Sequence, residues 1–532
     1  MDSCVPLPME PKVLQEITEK AKDYALMHGI CMRRKDAFDR DALHFAPFLL
    51  LPSAFPKGEF ERACQLQTIL NELMHKVAHD REFLIATLAQ TVKVDEFTRR
   101  LVDIYNTVAQ EGVAQPLSLG LLRSDLMLNV GPCDGPAFCC WHQVEINTIA
   151  SGFGWLGPAS GLIHRSDYFL CCGKGVIQQV EFNSIASSFG GITSYLYKAH
   201  KFVLGELGRK DLLDRIPENN SLSGLSGAML EAHKIYNQPK AVILFIVEDV
   251  TYNICDQKFH EFKIREMNPD VFVERKTLTE VANEGHLDNQ KRLFVDGKEI
   301  AVIYFRCGYS PDQYPSEREW DARLMMERSM AIKSPSIHYH LAGTKKVQQE
   351  LALPGTLERF CDDPEKIKSI KSIFTGLYTL DKGEEGDKSV AMAMKNPERF
   401  VLKPQREGGG NNTYGDDIPP FLESIKDSEE RNAYILMDRI LPPKTMNYVV
   451  RPGHEKAELK EVISELGIFG YVIGDQNRII SNHQVGHMLR TKLSHVNEGG
   501  VAAGLGALDS VFLVDVEKCC EAPCTDLDGC CQ

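Results

Sequence analysis

The sequence predicts a mixed α/β protein with more than one core, on three observations. Helical periodicity dominates residues 10–110, where Leu14, Ile17, Ala21 and Ala25, and later Leu66, Ile69, Leu70, Leu73 and Val77, recur at helical spacing. Further on, short apolar runs rich in β-branched residues alternate with helical stretches. At 532 residues the chain exceeds what one small core organises.

Residues 241–247 (AVILFIV) predict a buried strand, Asn253 to Met267 a helix, and Val271-Phe272-Val273 a second strand. Arg292 to Phe305 predicts a hairpin turning at Asp296-Gly297, because Asp-Gly tolerates the positive φ of a tight turn. This block reads as an inserted α/β domain. Residues 319–352 read helical again, and from 398 strands, loops and helices alternate.

Hydrophobic residues make up 43% and charged residues 25%, which is ordinary globular composition. The net charge of −14, with no basic stripe, argues against a nucleic-acid partner. No apolar run approaches the ~18 residues of a membrane helix, so no membrane partner is expected. Met1-Asp2-Ser3-Cys4-Val5-Pro6 lacks the pattern of a signal peptide. The 16 cysteines are scattered or adjacent, unlike a secreted disulfide framework, and predict a reduced cytoplasmic protein. The terminal cysteines, Cys519 to Cys531, have no zinc spacing and predict a disordered tail. His338 and His340 flank Tyr339 without a third ligand and read as ordinary histidines.

The densest chemistry lies at Phe400 to Tyr414. A short apolar segment feeds Lys403, Glu407, Gly408, Gly409, Gly410, Asn411, Asn412 and Tyr414. Glycines let backbone N–H groups approach phosphate oxygens, a lysine adds compact positive charge, and a carboxylate offers hard oxygen to Mg²⁺. Lysine precedes the glycines and no G-K-[ST] follows, so the run is neither a P-loop nor a dinucleotide fingerprint. The plainer alternative is a flexible surface loop. Arg490-Thr491-Lys492, if extended, puts two cations on one face, and a second small-residue run, Glu498 to Gly504, follows. A guanidinium there suits a substrate carboxylate; a solvated turn is the alternative. No Ser/His/Asp order or nucleophile elbow stands out, and the implied chemistry is metal-assisted phosphoryl transfer.

One unit occurs twice. Arg123-Ser124-Asp125 precedes Val144-Glu145-Ile146-Asn147, and Arg165-Ser166-Asp167 precedes Val180-Glu181-Phe182-Asn183. The glutamates lie 36 residues apart and the arginines 42. In a strand, Glu and Asn two positions apart share a face and can share one Mg²⁺, unless that face is only a polar edge.

Taken together, LAGTKKVQQEL at 341–351, LKPQREGGGNN at 402–412, YILMDRI at 434–440, ISELGIFG at 463–470 and LRTK…EGGVAAG at 489–504 resemble the eukaryotic glutathione synthetases closely. The similarity runs from about 10 to 510. It implies an ATP-grasp fold with an inserted small α/β substrate-binding domain and a helical N-terminal region, acting as a homodimer. The implied divisions are 1–238, containing the duplicated segment 117–155 / 159–191; 239–341, the insert; 342–512, the nucleotide-binding region; and the tail 513–532. The family joins γ-glutamylcysteine to glycine, with ATP as substrate and two Mg²⁺ ions per subunit.

By that resemblance, Lys345 and Lys403 hold ATP phosphates under Gly408 to Gly410, with Asn411 and Asn412 alongside. Tyr414, Met437, Asp438, Arg439, Ile440 and Glu465 hold the adenosine part, and Lys492 and Glu498 lie against the nucleotide. Arg490, Lys403 and Arg165 carry the catalytic charge. Substrate contacts fall to Arg165, Ile185, Ala186, Ser187 and Ser188, to Asn253, Gln257, Arg306 and Tyr309 of the insert, and to Arg490, Val501 and Ala502. Glu181 and Asn183 join Glu407 at the metal, and Glu181 also counts among the ATP residues. The first copy offers Arg123, Ser151, Glu145 and Asn147 as alternates.

The chain departs from the family at Thr251, where an acidic residue is usual, and at Cys307, where aspartate is common. The family carries the repeat unit once. The first copy has Gly152 and Trp155 where the second has Ser188 and Gly191, so the second is expected to work. The other readings are a ligase using a different amine and a catalytically impaired homologue kept for binding or dimerisation.

Overall fold

The computed structural model describes residues 3–34, 37–129, 141–150, 182–186, 188–405, 411–497 and 506–515, with the backbone alone at 141–150 and 182–186. Helix α1 (Pro11–Met27) starts where Glu10 accepts from the Lys12 and Val13 N–H groups, and buries Ile17, Ala21 and Ala25. Strands β1 (Cys31–Met32), β2 (His44–Phe45), β3 (Phe48–Leu49) and β4 (Ser53–Pro56) follow. These interrupt the stretch expected to be helical, because strands this short carry no periodic signal. Helices α2 (Lys57–His79), α3 (Arg81–Leu88), α4 (Thr91–Val94) and α5 (Glu96–Glu111) come next. Asp80 and Asp95 cap α3 and α5 by accepting from backbone N–H groups.

The chain continues through β5 (Ser118–Leu128), β6 (Trp141–Ala150), β7 (Phe182–Ala186), α6 (Gly190–Glu206) and α7 (Ser221–Tyr236). Then come β8 (Val242–Ile246), α8 (Ile254–Met267), β9 (Val273–Lys276), α9 (Leu278–Glu284), β10 (Gly285–Leu287), β11 (Leu293–Val295) and β12 (Lys298–Phe305). The second strand of this block begins two residues later than expected. The hairpin of β11 and β12 turns at Asp296 (φ +50°) and Gly297 (φ +71°), as Asp-Gly predicts. Helix α10 (Glu317–Arg328), β13 (Ile332–Ser334), α11 (Ile337–Ala342) and α12 (Lys345–Leu351) follow, so a strand breaks the helical run expected at 319–352. The remainder is α13 (Pro364–Lys371), β14 (Leu377–Thr379), α14 (Glu384–Lys395), β15 (Phe400–Pro404), β16 (Thr413–Tyr414), α15 (Ile418–Ile425), β17 (Tyr434–Asp438), β18 (Thr445–Val450), β19 (Glu458–Gly474), β20 (Ile479–Leu493), β21 (Gly506–Asp509) and β22 (Val511–Val514). Strand β22 pairs with β4 and runs past the boundary expected at 512.

Three sheets matter for the site. The largest has the order β18-β3-β21-β20-β19-β5-β6-β7. Its strands alternate between two cores. Leu122, Leu466, Ile468 and Val472 pack with α2 and α5, while Leu121, Phe469 and Ile473 pack with α6 and α7. A sheet around β12 and β8 lies wholly within residues 242–334, and β8, β9 and β13 run parallel to their neighbours. The third sheet, β14-β17-β15-β16, carries the strand that leads to the glycine run.

Candidate active site

Strand β5 is buried along its whole length and pairs antiparallel with β19. On it, the Arg123 guanidinium donates to both carboxylate oxygens of Asp125 at 2.6 Å, and neither side chain is exposed. Gly467, opposite Asp125 on β19, makes room: a Cβ there would lie 2.9 Å from both Arg123 Cδ and Asp125 Oδ1. Arg123 also donates through Nη1 to the Ser188 carbonyl at 3.4 Å.

Arg490 extends this charge cluster. It lies opposite Glu465 across β19 and β20, donates to the Glu465 carboxylate, and has Nη2 3.9 Å from Asp125 Oδ2. Burial pushes the Glu465 carboxyl above the usual carboxylate range, and Arg490 pulls it back. β20 is extended through Arg490, Thr491 and Lys492, so the two cations share one face as the spacing predicts. On the other face the Thr491 hydroxyl donates to buried Asp509 at 2.7 Å. Asp509 also accepts from the Ser53 hydroxyl at 2.5 Å and the Ser510 N–H at 2.7 Å, and burial raises its pKa to about 7.

The expected nucleotide residues lie on the neighbouring sheet. Lys403 is buried on β15, and the register sets Val401 opposite Met437 and Phe400 opposite Asp438. Tyr414 on β16 pairs with Val401. The Asp438 carboxylate is held by Arg399 at 2.9 Å and the Tyr378 hydroxyl at 3.0 Å. Lys345 is buried at the start of α12, where the Gln405 side chain accepts from the Lys346 N–H at 3.1 Å and so ties that helix to the end of β15. Asn497 joins the two sheets: Lys492 donates to its carbonyl at 2.6 Å and Arg439 to its side chain at 3.0 Å.

The expected substrate residues of the insert gather around Asp256. Its carboxylate accepts from the backbone N–H of Phe189 at 2.7 Å, Gly191 at 2.9 Å and Ile192 at 3.1 Å, and so caps α6. A Cβ on Gly191 would lie 2.7 Å from the Asp256 carbonyl oxygen. The Asn253 amide is 3.5 Å from the same carboxylate. Ser188 Oγ, Asn253 Oδ1 and Arg306 Nε are buried without a hydrogen-bond partner. Burial works against the Arg306 charge, but Tyr309, Tyr304, Glu248 and Asp256 outweigh it and raise its pKa. Arg306 follows β12 and Glu248 follows β8, at the carboxyl ends of parallel strands, where α/β sheets bind ligands. The Gln257 side-chain oxygen accepts from Arg275 at 2.6 Å, and the Gln313 side-chain amide links Glu248 (2.7 Å) to the Tyr309 N–H (2.9 Å).

Of the expected residues, Ser151, Arg165, Glu181, Ser187, Glu407, Gly408, Gly409, Gly410, Glu498, Val501 and Ala502 lie outside the described residues, as does the tail from 516. Glu145, Asn147, Asn183, Ile185 and Ala186 are placed by backbone alone. Ile440 and Asn412 are half-buried and Asn411 is exposed. Asp256, Glu248, Gln405 and Asn497 were not expected at the site, and Asp125 was expected only as part of the repeat, though its partner Arg123 is two residues away. Asp256, three residues past Asn253 at a helix start, carried a legible signal, whereas the side chains of Glu248, Gln405 and Asn497 bond to residues remote in sequence. His338 bonds the Ser118 and Ser336 hydroxyls at 2.9 Å, and His340 is buried, so both serve the core. Among the described residues, no group of three or more His, Cys, Asp or Glu side chains could hold a metal ion. The strand Glu-x-Asn and Glu407 offer the hard oxygens that Mg²⁺ prefers, so the donor chemistry of this chain fits that ion.

The family model for the eukaryotic glutathione synthase ATP-binding domain matches residues 11–161 and 157–513. Glutathione synthetase of Xenopus laevis is 42% identical over 507 residues, covering 95% of this chain and 98% of the relative. The Homo sapiens enzyme is 41% identical over 503 residues, covering 94% and 97%. The chloroplastic enzyme of Arabidopsis thaliana is 37% identical over 516 residues, covering 95% and 86%. Among solved structures, a glutathione synthetase-like effector from Globodera pallida aligns with a TM-score of 0.71 at 23% identity, covering 96% of this chain and all of the other, which establishes the shared fold.

Proposed function

The chain belongs to the eukaryotic glutathione synthase family of ATP-grasp ligases, and from that premise we propose that it makes glutathione from γ-glutamylcysteine, glycine and ATP. The observation that carries this reading is an unbroken line of contacts between the two halves of the expected site. It runs from Ser188 through Arg123, Asp125 and Arg490 to Glu465, and from Lys492, two residues along β20, through Asn497 to Arg439.

In the reaction, an oxygen of the cysteinyl carboxylate attacks the γ-phosphorus of ATP and ADP leaves. The glycine amine then attacks the acyl carbon, phosphate departs, and the nitrogen loses a proton. Lys345 and Lys403 sit where they oppose phosphate charge, and Arg490 where it opposes charge at the acyl centre. Ser188, Asn253 and Arg306 turn buried polar atoms toward the dipeptide. Two Mg²⁺ ions, held by Glu407 and a strand Glu-x-Asn, would neutralise the phosphates. No side chain forms a covalent intermediate.

Homodimer formation is part of this reading; the exposed apolar side chains Met27 (82% exposed), Phe262 (63%), Phe272 (54%) and Leu43 (50%) are candidates for the contact. Free thiols at Cys4, Cys31 and Cys307 suit a reducing cytoplasm, and no helix of the described residues is long and apolar enough to cross a membrane.

ATP-dependent phosphate release that requires both γ-glutamylcysteine and glycine tests the reading. Glu407→Gln is expected to abolish it at any Mg²⁺ concentration, and full activity in that variant would refute the metal assignment. Faster turnover with serine or β-alanine than with glycine would instead assign a different amine, and nucleotide binding without turnover an impaired homologue.

A further inference from the structure

The duplicated unit divides between two places in the fold. The first copy supplies β5 and β6, which pair antiparallel with Arg123 opposite Asn147 and Asp125 opposite Glu145. The second copy supplies β7, which lies parallel to β6, setting Asn147 beside Asn183 and Ala150 beside Ala186. Equivalent residues of the two copies therefore stand side by side. Glu145 and Asn147 are one strand from the Arg123–Asp125 pair, whereas the second copy's strand is two strands away, about 10 Å.

Downstream the preference reverses. The helix cap at Asp256 takes Phe189, Gly191 and Ile192 of the second copy. The first copy's counterpart of Gly191 is Trp155. A Cβ at that position already meets the Asp256 carbonyl oxygen at 2.7 Å, so an indole has no room. The two copies meet where Arg123 donates to the Ser188 carbonyl.

We propose that the working site is a composite: Arg123, Glu145 and Asn147 from the first copy act with Ser188 and the α6 cap from the second, and residues 152–187 are dispensable. The inference rests on the ligase reading and assigns which strand serves it. It reverses, for the arginine and the Glu-x-Asn pair, the expectation drawn from sequence, and keeps it for Ser188. Excision joins Ser151 to Ser188. Because the ends of β6 and β7 are neighbours in one sheet, closing the gap moves the chain by about one strand spacing, ~4.8 Å.

The test measures binding of a non-hydrolysable ATP analogue with Mg²⁺ by calorimetry, with thermal unfolding followed in parallel. Two variants of the full chain are compared with the parent: deletion of 152–187 and Glu145→Gln. The deletion of 152–187 is expected to unfold cooperatively and bind within about threefold of the parent. Glu145→Gln is expected to weaken Mg²⁺-dependent binding at least tenfold. A folded 152–187 deletion that loses binding overturns the inference, as does parental affinity in Glu145→Gln. A parent that binds no nucleotide overturns the ligase reading as well, which separates the two failures.

Discussion

The strand side of the site and the helix corner beside it both bury charge, yet they neutralise it differently. On the strands, Arg123 meets Asp125 and Arg490 meets Glu465, side chain to side chain. At the corner, Asp256 is satisfied chiefly by backbone N–H groups of α6, and Arg306 keeps a buried Nε with no hydrogen-bond partner. Paired charges hold a shape without ligand. An unpaired buried donor destabilises the free protein and favours the complex, since a ligand oxygen there removes the deficit. On the proposed function, the strands act as frame and the corner as receptor.

The hardest blow to the frame is Arg123→Ala, which leaves Asp125 buried without its bidentate partner. It is expected to destabilise by about 3–5 kcal/mol, read as a fall in the urea midpoint, with activity lost. An unchanged midpoint would mean that the pair is not structural.

Acid probes the frame next. Burial lowers His75, His200 and His487 to about 4 from the usual 6.5, so their contribution is complete above pH ~6.5 and is lost as pH falls toward 4. Asp509, raised to about 7, works oppositely: its contribution is complete below its ordinary 3.8 and is lost as pH rises through 7. Three histidines outweigh one aspartate, so Tm should drop between pH 6.5 and 4. Asp509→Asn should steepen that drop by removing the opposing group, and a shallower profile would contradict the assignment.

Asp256→Ala tests the corner's cap. Losing the acceptor of three N–H groups should destabilise by about 1–3 kcal/mol and raise KM for γ-glutamylcysteine more than KM for ATP. Equal changes in both would place the cap outside the dipeptide site. The smallest stability change is expected for Arg306→Met, with Tm unchanged or slightly lowered, because its acidic neighbours offset burial, and dipeptide affinity down at least tenfold. A large fall in Tm there would erase the distinction between frame and receptor.

Much of the frame was legible. The 3.6-residue period gave α1 and α2, Asp296-Gly297 gave the hairpin, and the two-residue period put Arg490 and Lys492 on one face. The strand at 332–334 was hidden because three residues carry no period, and β1 to β4 for the same reason. Gln405 was hidden because its partner is a backbone group 59 residues away, which no local pattern encodes. Nor does the repeat itself say which copy takes the slot beside β5. The strand pairing and the room around Gly191 emerge only in the folded chain.

The contact of Ser53 with Asp509 spans 456 residues, and β4 pairs with β22 in a two-stranded sheet of their own. Synthesis therefore delivers one half of this joint near the start of translation and the other near its end. Until residues 506–514 emerge, Thr491 lacks its acceptor and the sheet lacks β21, the strand that carries Arg490's outer neighbour Leu508. A nascent chain cannot assemble the cation face of β20 early, and a transcript truncated before codon 506 would encode a protein without a finished site.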